Sequence, residues 1–218
     1  MIVSGFAVIF LAAAALAGGH ARADLGLQAK AGTLGFGLEF VRGYGDRFSL
    51  SLGVNSLSRR DKDRSGNVDY DYRYDLQSVA LLAHYHPDAN FFRLVGGVLY
   101  NRNELGLIGI PGPGSTYSIN GVPYTAAQVG NLTGTLKVPR IAPYLGIGWG
   151  NRPDGYYGLS IDLGILYQGS PSLSLNASGA LTDPVLAADL ERERQHAESD
   201  LRGFKWFPVA SIGLYHRF

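Results

Sequence analysis

Apolar and polar residues alternate along most of this chain with a period of two. That period is typical of β-strands whose two faces meet different surroundings. The clearest stretch runs from Tyr157 to Tyr167, where odd positions are apolar and even positions are mainly glycine or polar. Further segments with this pattern begin near Leu34, Phe48, Tyr70, Phe92, Ile141 and Trp206. The pattern predicts an all-β protein.

Three features indicate that the apolar faces meet lipid. Aromatic residues recur near strand ends, as Phe40, Trp149 and Tyr167 show, and such residues form interfacial girdles in membrane barrels. Short connections alternate with long ones, as periplasmic turns and external loops do. The chain ends on a strand at Phe218, which we interpret as a C-terminal signal for barrel insertion. We therefore predict a transmembrane β-barrel, with a soluble β-sandwich as the alternative.

Composition agrees with a barrel and excludes several classes of protein. Charged residues make up 17% of the 218 residues, below the usual share of about 25%, while glycine reaches 30 residues. The net charge of +1 gives no electrostatic basis for binding nucleic acid, so we predict none. Cysteine is absent, which excludes disulfides and thiolate sites. After the first twenty-odd residues no apolar run approaches the ~20 residues of a membrane helix.

The first 23 residues predict a cleaved signal peptide. An apolar segment, Phe6 to Ala17, precedes the small-x-small sequence Ala21-Arg22-Ala23. The alternative is a short lipid-anchored or buried helix. We expect residues 1–23 to be removed and residues 24–218 to form one barrel domain in the outer membrane of a Gram-negative bacterium.

An up-and-down antiparallel barrel of this type needs an even number of strands. Because seven segments alternate clearly, we predict eight strands, with a weak first strand over residues 24–32. The third segment loses its phase near Ser78, which predicts a β-bulge. Residues 59–68, 105–130 and 170–203 are predicted to be long extracellular connections.

Two of these connections have structure of their own. Asn120-Gly121 lies between two short alternating runs and predicts a type I′ hairpin. Asp183 as N-cap and Pro184 at the first helical position predict one helix that ends near Leu201. We expect a solvated helix folded over the barrel mouth, and a gate is the sharper alternative.

The inward faces supply the candidate functional residues. Glu39, Asp75 and Asp162 are opposed by Arg93 and Arg140, so these charges could line a solute path or form a bracing ion network. The complete set of predicted lumen-lining residues is Glu39, Asn55, Asp75, Gln77, Arg93, Asn101, Arg140, Tyr144, Asp162 and Gln168.

The sequence shows no convincing catalytic group. His84 and His86 share one strand face, with no acidic residue near in sequence and no serine at a spacing that suggests a dyad. We interpret them as interfacial histidines at the periplasmic rim. A calcium bridge from Asp69, Asp71 and Asp75 to lipopolysaccharide is a minor alternative. We predict no enzyme activity, no cofactor and no resident metal site.

Several sequence runs resemble the CarO-type outer-membrane barrels of Gram-negative bacteria. These runs are Gly32–Gly35, Ser118–Tyr124, Ile141–Gly150, Leu163–Pro171 and Phe204–Val209, in the same order. The resemblance implies an eight-stranded barrel and uptake of small solutes such as basic amino acids. It assigns no ligand residue in this chain.

The sequence therefore predicts a narrow passive channel for small hydrophilic solutes. A non-transporting structural or adhesive barrel that acts through its extracellular loops is the alternative, and a lipid A-modifying enzyme is the weakest one. Expected partners are outer-membrane lipid and lipopolysaccharide, small polar solutes and, during assembly, the barrel-insertion machinery and periplasmic chaperones.

Overall fold

A computed structural model describes residues 25–65, 68–87, 91–112, 114–150 and 157–218. The predicted signal peptide, residues 1–23, lies outside the described residues. The strands are β1 (Leu25–Gly32), β2 (Gly35–Tyr44), β3 (Phe48–Ser65), β4 (Val68–Tyr85), β5 (Phe92–Asn101), β6 (Glu104–Pro111), β7 (Thr116–Ile119), β8 (Val122–Thr125), β9 (Leu132–Lys137), β10 (Ile141–Gly150), β11 (Tyr157–Tyr167), β12 (Ser172–Ala177) and β13 (Trp206–Arg217). The α-helices are α1 (Ala126–Val129) and α2 (Pro184–Leu201), and a 3-10 helix covers Ser178–Leu181.

Eight of these strands close into an antiparallel barrel, as the sequence predicts. The barrel order is β1-β2-β3-β4-β5-β10-β11-β13, and β13 pairs back onto β1 over Gly26–Gly32. The weak first strand is therefore real, and its connection to β2 is the two-residue turn Thr33-Leu34. We call the end with the β2–β3 turn and Phe218 the inner end, and the opposite end the outer end.

The outward face of the barrel is apolar around its circumference, and the inward face is small or polar. Exposed side chains on the outside include Phe36 on β2, Leu81 on β4, Leu145 on β10, Leu159 on β11 and Leu214 on β13. A continuous apolar surface of this kind would be costly in water and fits a bilayer. No described helix has both the length and the apolar character needed to cross a membrane.

Beyond its outer end the barrel continues into a second body, which we call the cap. The cap consists of the outer halves of β3 and β4, strands β6 to β9, β12 and both α-helices. Strand β4 makes this possible because its inner half pairs with β5 and its outer half pairs with β6. From β6 the sheet continues through β9 to β12, so the wall divides into a barrel branch and a cap branch.

The predicted bulge near Ser78 is wrong. The pairing of β3 with β4 keeps one register from Phe48 opposite Tyr85 to Ser65 opposite Val68. The phase of the sequence pattern changes because the surroundings of the two faces change. On the inner side of Ser78 the even positions of β4 face the barrel interior, and on its outer side Tyr70 and Val68 contribute to the apolar core of the cap.

The prediction of a loop over residues 59–68 is also wrong. Residues 59–65 belong to β3 and residue 68 begins β4. Among the described residues, the outer half of β3 pairs only with β4, because pairing with β2 ends at Ser56. Charge at every position from Arg59 to Arg64 protects this open edge against pairing with other strands. A charged edge strand therefore has an amino-acid composition like that of a loop, which is why the sequence predicted a loop here.

The hairpin and the helix of the cap are confirmed. Strands β7 and β8 meet at Asn120 (φ 52°) and Gly121 (φ 76°), the left-handed pair that a type I′ turn requires. Helix α2 begins after Asp183, whose carboxylate accepts hydrogen bonds from the backbone N–H groups of Val185 and Leu186. Leu186 and Leu190 are its buried apolar residues.

Candidate functional site

The inner half of the barrel is filled by a network of buried charges. Lys30 Nζ lies 2.5 Å from Glu39 Oε2 and 3.4 Å from Asp162 Oδ2, and Arg93 Nη2 lies 2.5 Å from Asp162 Oδ1. Arg93 also donates to the backbone oxygen of Gly150 at 2.6 Å. Two cations thus balance two carboxylates, which meets the condition for keeping charges out of water.

The sheet leaves room for this network through glycine. A Cβ added to Gly148 would clash with the carboxylate of Asp162 and the guanidinium of Arg93. Glycine on β10 therefore provides the space in which the side chains from β5 and β11 meet. The packed network supports the bracing alternative for these charges.

The interpretation of His84 and His86 as interfacial residues is wrong, because both are about 1% exposed inside the barrel. Their even positions on β4 and just after it point to the interior. Ser51 Oγ lies 2.8 Å from His84 Nε2, and Glu39 Oε1 lies 3.4 Å from the same nitrogen. Pairing of β3 with β4 brings serine and histidine together across 33 residues, which no local spacing could reveal.

This trio lacks the geometry of a catalytic triad. In a triad, the nucleophile and the carboxylate contact different nitrogens of the imidazole. Here both contact Nε2, and Nδ1 is buried without a hydrogen-bond partner. The contacts therefore join His84 to the ion network.

An apolar layer lies between the ion network and the outer end. Val95, Leu99, Ala142 and Leu166 are at most 2% exposed and form one packed cluster. Leu82, Ala80, Tyr144 and Val209 complete the cluster, and Leu34 and Phe207 pack against it. On the side of β4, β5, β10, β11 and β13, the interior is thus filled by hydrocarbon rather than by polar groups.

A small cavity remains between this apolar cluster and strands β1 and β2, and Leu82, Leu99 and Tyr144 of the cluster also line it. Its volume is about 40 Å³, enough for about three water molecules. Lys30, Glu39 and Asp162 line its inner part, and Leu34 and Gly35 line it next to the β1–β2 turn. Glu39 Oε1 and Asp162 Oδ2 are buried and make only the 3.4 Å contacts to His84 Nε2 and Lys30 Nζ among the described residues, so waters in this cavity would complete the hydrogen bonding of both oxygens.

The structure divides the ten predicted lumen residues into two groups. One group lies in the barrel interior, where Asn55 is half-buried and the others are buried: Glu39, Asn55, Arg93, Asn101, Tyr144 and Asp162. The other four lie away from the interior packing.

The displaced residues have two physical causes. Asp75 and Gln77 occupy odd positions on β4, opposite to its inward-facing even positions. Asp75 accepts a 2.7 Å hydrogen bond from Ser58 and pairs with Arg73 at 2.5 Å on the cap. Arg140 is exposed just before β10, and Gln168 lies just after β11, so their strands end before these positions reach the interior.

Sequence reasoning missed Lys30 and Gln28 on β1 and also missed Ser51 and His84. Gln28 is fully buried and donates to Ser160. Both β1 residues occupy even positions between outward-facing alanine and leucine residues, so the period of two extends through this strand. Applying that period to the short first strand would have found them.

The cap is organised around a second buried carboxylate. Asp189 on α2 is 5% exposed and accepts hydrogen bonds from Tyr124 Oη at 2.6 Å and Asn120 Nδ2 at 3.1 Å. Arg192 donates to it at 2.8 Å. The hydrogen bonds from Tyr124 and Asn120 hold the pKa of Asp189 below its usual range, and the same carboxylate raises the pKa of Tyr124 to about 12.

The Asp189 network fastens helix α2 to the β7–β8 hairpin. Glu193 adds a 2.8 Å contact by accepting from the backbone N–H of Asn120. Beneath the network, Tyr117, Ile119 and Leu186 belong to one apolar core. The cap therefore has its own apolar core and its own buried hydrogen-bond network.

Neither region forms a metal site within the part of the chain that the structure describes. No group of three or more histidine, aspartate or glutamate side chains is arranged to hold an ion. This includes the acidic row of Asp69, Asp71 and Asp75.

Comparison with known proteins finds solved structures with a similar fold. No protein-family model matches the sequence, and a search of curated proteins finds no significant match. Among solved structures, Acinetobacter baumannii CarO2 is similar, with a TM-score of 0.62 and 22% identity over 91% of this chain and 100% of CarO2. Acinetobacter baumannii CarO has a TM-score of 0.59 and 23% identity over 89% of this chain and 98% of CarO. The chain therefore has the fold of a CarO-type outer-membrane β-barrel, as its sequence motifs indicate.

Proposed function

We propose that this protein is an outer-membrane barrel that is closed to solutes and acts through its extracellular cap. The observation that carries the proposal is the apolar cluster of Val95, Leu99, Ala142 and Leu166, which fills the interior next to β4, β5, β10, β11 and β13 and leaves a cavity of only about 40 Å³ beside it. A polar solute would have to lose its hydration to pass such a layer, at a cost of roughly 2–7 kcal/mol for each buried polar group.

The cap supports the second part of the proposal. Its apolar core and the Asp189 hydrogen-bond network keep the cap rigid. A rigid scaffold reduces the entropy lost when a partner binds. In this proposal the barrel anchors the cap in outer-membrane lipid and lipopolysaccharide, and its ion network stabilises the anchor.

Planar-bilayer conductance of refolded residues 24–218 tests the closed barrel. We expect a silent bilayer, with folding verified by the heat-modifiable gel mobility of the barrel. The double variant Leu99→Ala/Leu166→Ala removes volume from the apolar layer and should admit ions. Leu186→Ala removes a buried leucine from the cap and serves as the matched control, with no conductance expected.

The second candidate function is the narrow passive channel that the sequence predicts. The 40 Å³ cavity favours it, because this cavity connects the ion network with Leu34 near the outer end. In this candidate a small hydrophilic solute passes along the β1–β2 side when Leu34 moves aside. Discrete wild-type openings, enlarged in Leu34→Ala and less cation-selective in Asp162→Asn, would establish the channel and overturn the closed barrel.

A further inference from the structure

The outer rim of the barrel carries a patch of arginine residues on its outward face. Arg60 on β3 and Arg73 on β4 lie directly opposite each other, at outward positions of both strands. Arg102 follows β5 and continues its pairing, because its backbone N–H donates to the backbone oxygen of Gln77 on β4 at 2.8 Å. Gln77 is also an outward position, so Arg102 lies on the same face as the other two. All three arginines are exposed, and we call them the rim patch.

The rim patch lies just beyond the apolar band that faces lipid. On β5, Tyr100 precedes Arg102 by two residues on the same face and is 44% exposed. This step corresponds to about 7 Å along a strand. On β4, the outward residues are apolar up to Val79 and polar from Gln77 to Arg73 and beyond. Long cationic side chains at this level reach the headgroups of the outer leaflet.

The rim patch contains an excess of positive charge. Among the described residues, four cations and two carboxylates occupy outward positions of the sheet next to the membrane, a net charge of +2: Arg60, Arg73, Arg102 and Lys137 against Asp75 and Glu104. Further out on β3 and β4, two cations face two carboxylates. The excess is therefore confined to the part of the sheet that borders the bilayer.

The protein compensates this charge only in part. Arg73 pairs with Asp75 at 2.5 Å. Arg60 and Arg102, in contrast, form no ion pair with any residue that the structure describes. Like charges directly opposite each other destabilise a sheet, so Arg60 and Arg73 oppose their own pairing. A bound anion would remove this repulsion.

Protection of the open β3 edge explains the charge of Arg60 but not the whole patch. Arg73 lies on β4, which pairs with β3 on one side and with β6 on the other, and Arg102 follows a strand that is also paired on both sides. Elsewhere on the rim, outward positions are uncharged, as at Tyr167, Phe204 and Trp206. Positive charge is thus concentrated on the side from β3 to β5, where the cap rises from the barrel.

The location and the residue type limit the ligand. Arginine binds phosphate through paired N–H···O bonds, and a phosphate beside the apolar band belongs to a molecule whose acyl chains enter the bilayer. Arg73 is four residues from Gln77, the residue opposite Arg102, or about 13 Å along β4. The patch can therefore contact two phosphates at opposite ends of a diphosphorylated disaccharide.

We propose that the rim patch binds the lipid A headgroup of lipopolysaccharide in the outer leaflet. The arginines bind its phosphates, and Tyr100 packs against its acyl chains. The inference rests on the proposed anchoring of the cap in lipopolysaccharide and assigns that anchoring to one side of the rim.

Binding is tested with refolded residues 24–218 in detergent. The probes are lipid A with two, one and no phosphate groups, phosphatidylglycerol as another anionic lipid, and inorganic phosphate as the free anion. Native mass spectrometry counts the bound molecules during a titration, and a chelator excludes bridging by divalent cations. We expect saturable binding of diphosphoryl lipid A, at least tenfold tighter than dephosphorylated lipid A, phosphatidylglycerol or inorganic phosphate, with monophosphoryl lipid A between.

Matched double variants locate the site. Arg60→Gln/Arg102→Gln removes the two unpaired cations of the patch and should weaken lipid A binding at least tenfold. Arg60→Lys/Arg102→Lys keeps the charge and should weaken it less. Lys62→Gln/Arg64→Gln removes the same charge from β3 further from the membrane and should leave the affinity unchanged. The heat-modifiable gel mobility of the barrel verifies that each variant is folded.

Several outcomes would overturn the proposal. These are no saturable binding of diphosphoryl lipid A, equal affinity for dephosphorylated lipid A, phosphatidylglycerol or inorganic phosphate, unchanged affinity of Arg60→Gln/Arg102→Gln, or an equal loss in Lys62→Gln/Arg64→Gln. Conductance of the same preparation separates this result from the proposed function. Discrete openings with lipid A bound overturn the closed barrel alone, and a silent bilayer without lipid A binding overturns the rim patch alone.

Discussion

The two halves of β4 keep one register with β3 and have opposite distributions of polarity. From Ser78 to Tyr85 the inward positions include His84 and Leu82, while Leu81 lies exposed on the outward apolar face. From Val68 to Asp75 the outward positions carry charges such as Asp69 and Arg73, and the inward positions carry tyrosines. One strand thus leaves the bilayer and enters water without a change of register.

The difference shows what an alternating pattern reports. A period of two identifies a strand and its two faces, because side chains point to opposite sides at each step. Which face is apolar depends on the medium on each side. A change of phase within one strand therefore marks a change of medium, and at Ser78 it marks the boundary between barrel and cap.

The largest expected effect is on stability, which should fall much more when a buried arginine is replaced than when an exposed one is. Arg93→Gln leaves Asp162 buried without its closest cation, and breaking such a pair costs about 3–5 kcal/mol. Arg73→Gln breaks a pair of the same length in which the arginine side chain is 57% exposed, and this costs less than about 1 kcal/mol. Urea unfolding followed by the gel mobility of the barrel measures both.

A double variant tests whether charge explains the first result. Arg93→Met/Asp162→Leu removes both charges and should recover most of the lost stability, because no uncompensated charge remains in this pair. If Arg93→Gln were as stable as Arg73→Gln, the ion network would not brace the barrel.

We expect the barrel and the cap to unfold separately when the core of one of them is weakened. Leu186 is fully buried in the cap, and Leu186→Ala should destabilise the cap by about 2–5 kcal/mol. Limited proteolysis should then cleave the cap while the gel mobility of the barrel stays unchanged. Leu99→Ala should lower barrel stability and leave the cap resistant. Loss of both regions in either variant would show that barrel and cap unfold as one unit.

A charge placed on the outward face tests the boundary itself. Leu81→Arg puts a cation on the lipid side of the inner half of β4 and should cost about 2–4 kcal/mol near the bilayer midplane. Ile108→Arg introduces the same cation on a half-exposed position of β6 in the cap and should have little effect. Folding into lipid vesicles measures both, and equal yields would contradict the assigned boundary.

Much of this architecture could be predicted from sequence, because local patterns determine it. The period of two identified the barrel strands, Asn120-Gly121 identified its turn, and Asp183-Pro184 identified the start of α2. The Ser51–His84–Glu39 contacts depend on strand pairing, which no local pattern encodes. Asp75 and Gln77 were assigned to the lumen because the rule of the membrane half, with apolar side chains outward and polar ones inward, was applied to the cap half of β4.

The smallest expected effect is a pH dependence confined to the cap. Tyr124 and Asn120 donate to the Asp189 carboxylate and hold its pKa below the usual range. The stability that this carboxylate contributes is therefore complete above about pH 4, the ordinary pKa of aspartate, and is lost as pH falls through its lower folded pKa. Hydrogen exchange, corrected for intrinsic rates, should show weaker protection of β7, β8 and α2 at about pH 3 than at about pH 6.

A variant without this carboxylate distinguishes Asp189 from the other acidic groups of α2. Asp189→Asn should flatten most of the pH difference in the cap, because the side chain then has no proton to gain. The protection of barrel amides should stay unchanged. Asp189 has Tyr124, Asn120 and Arg192 as hydrogen-bond partners, and all three belong to the cap. An equal loss of protection in wild type and Asp189→Asn would assign the acid sensitivity to Glu191 and Glu198, whose pKa values are also lowered.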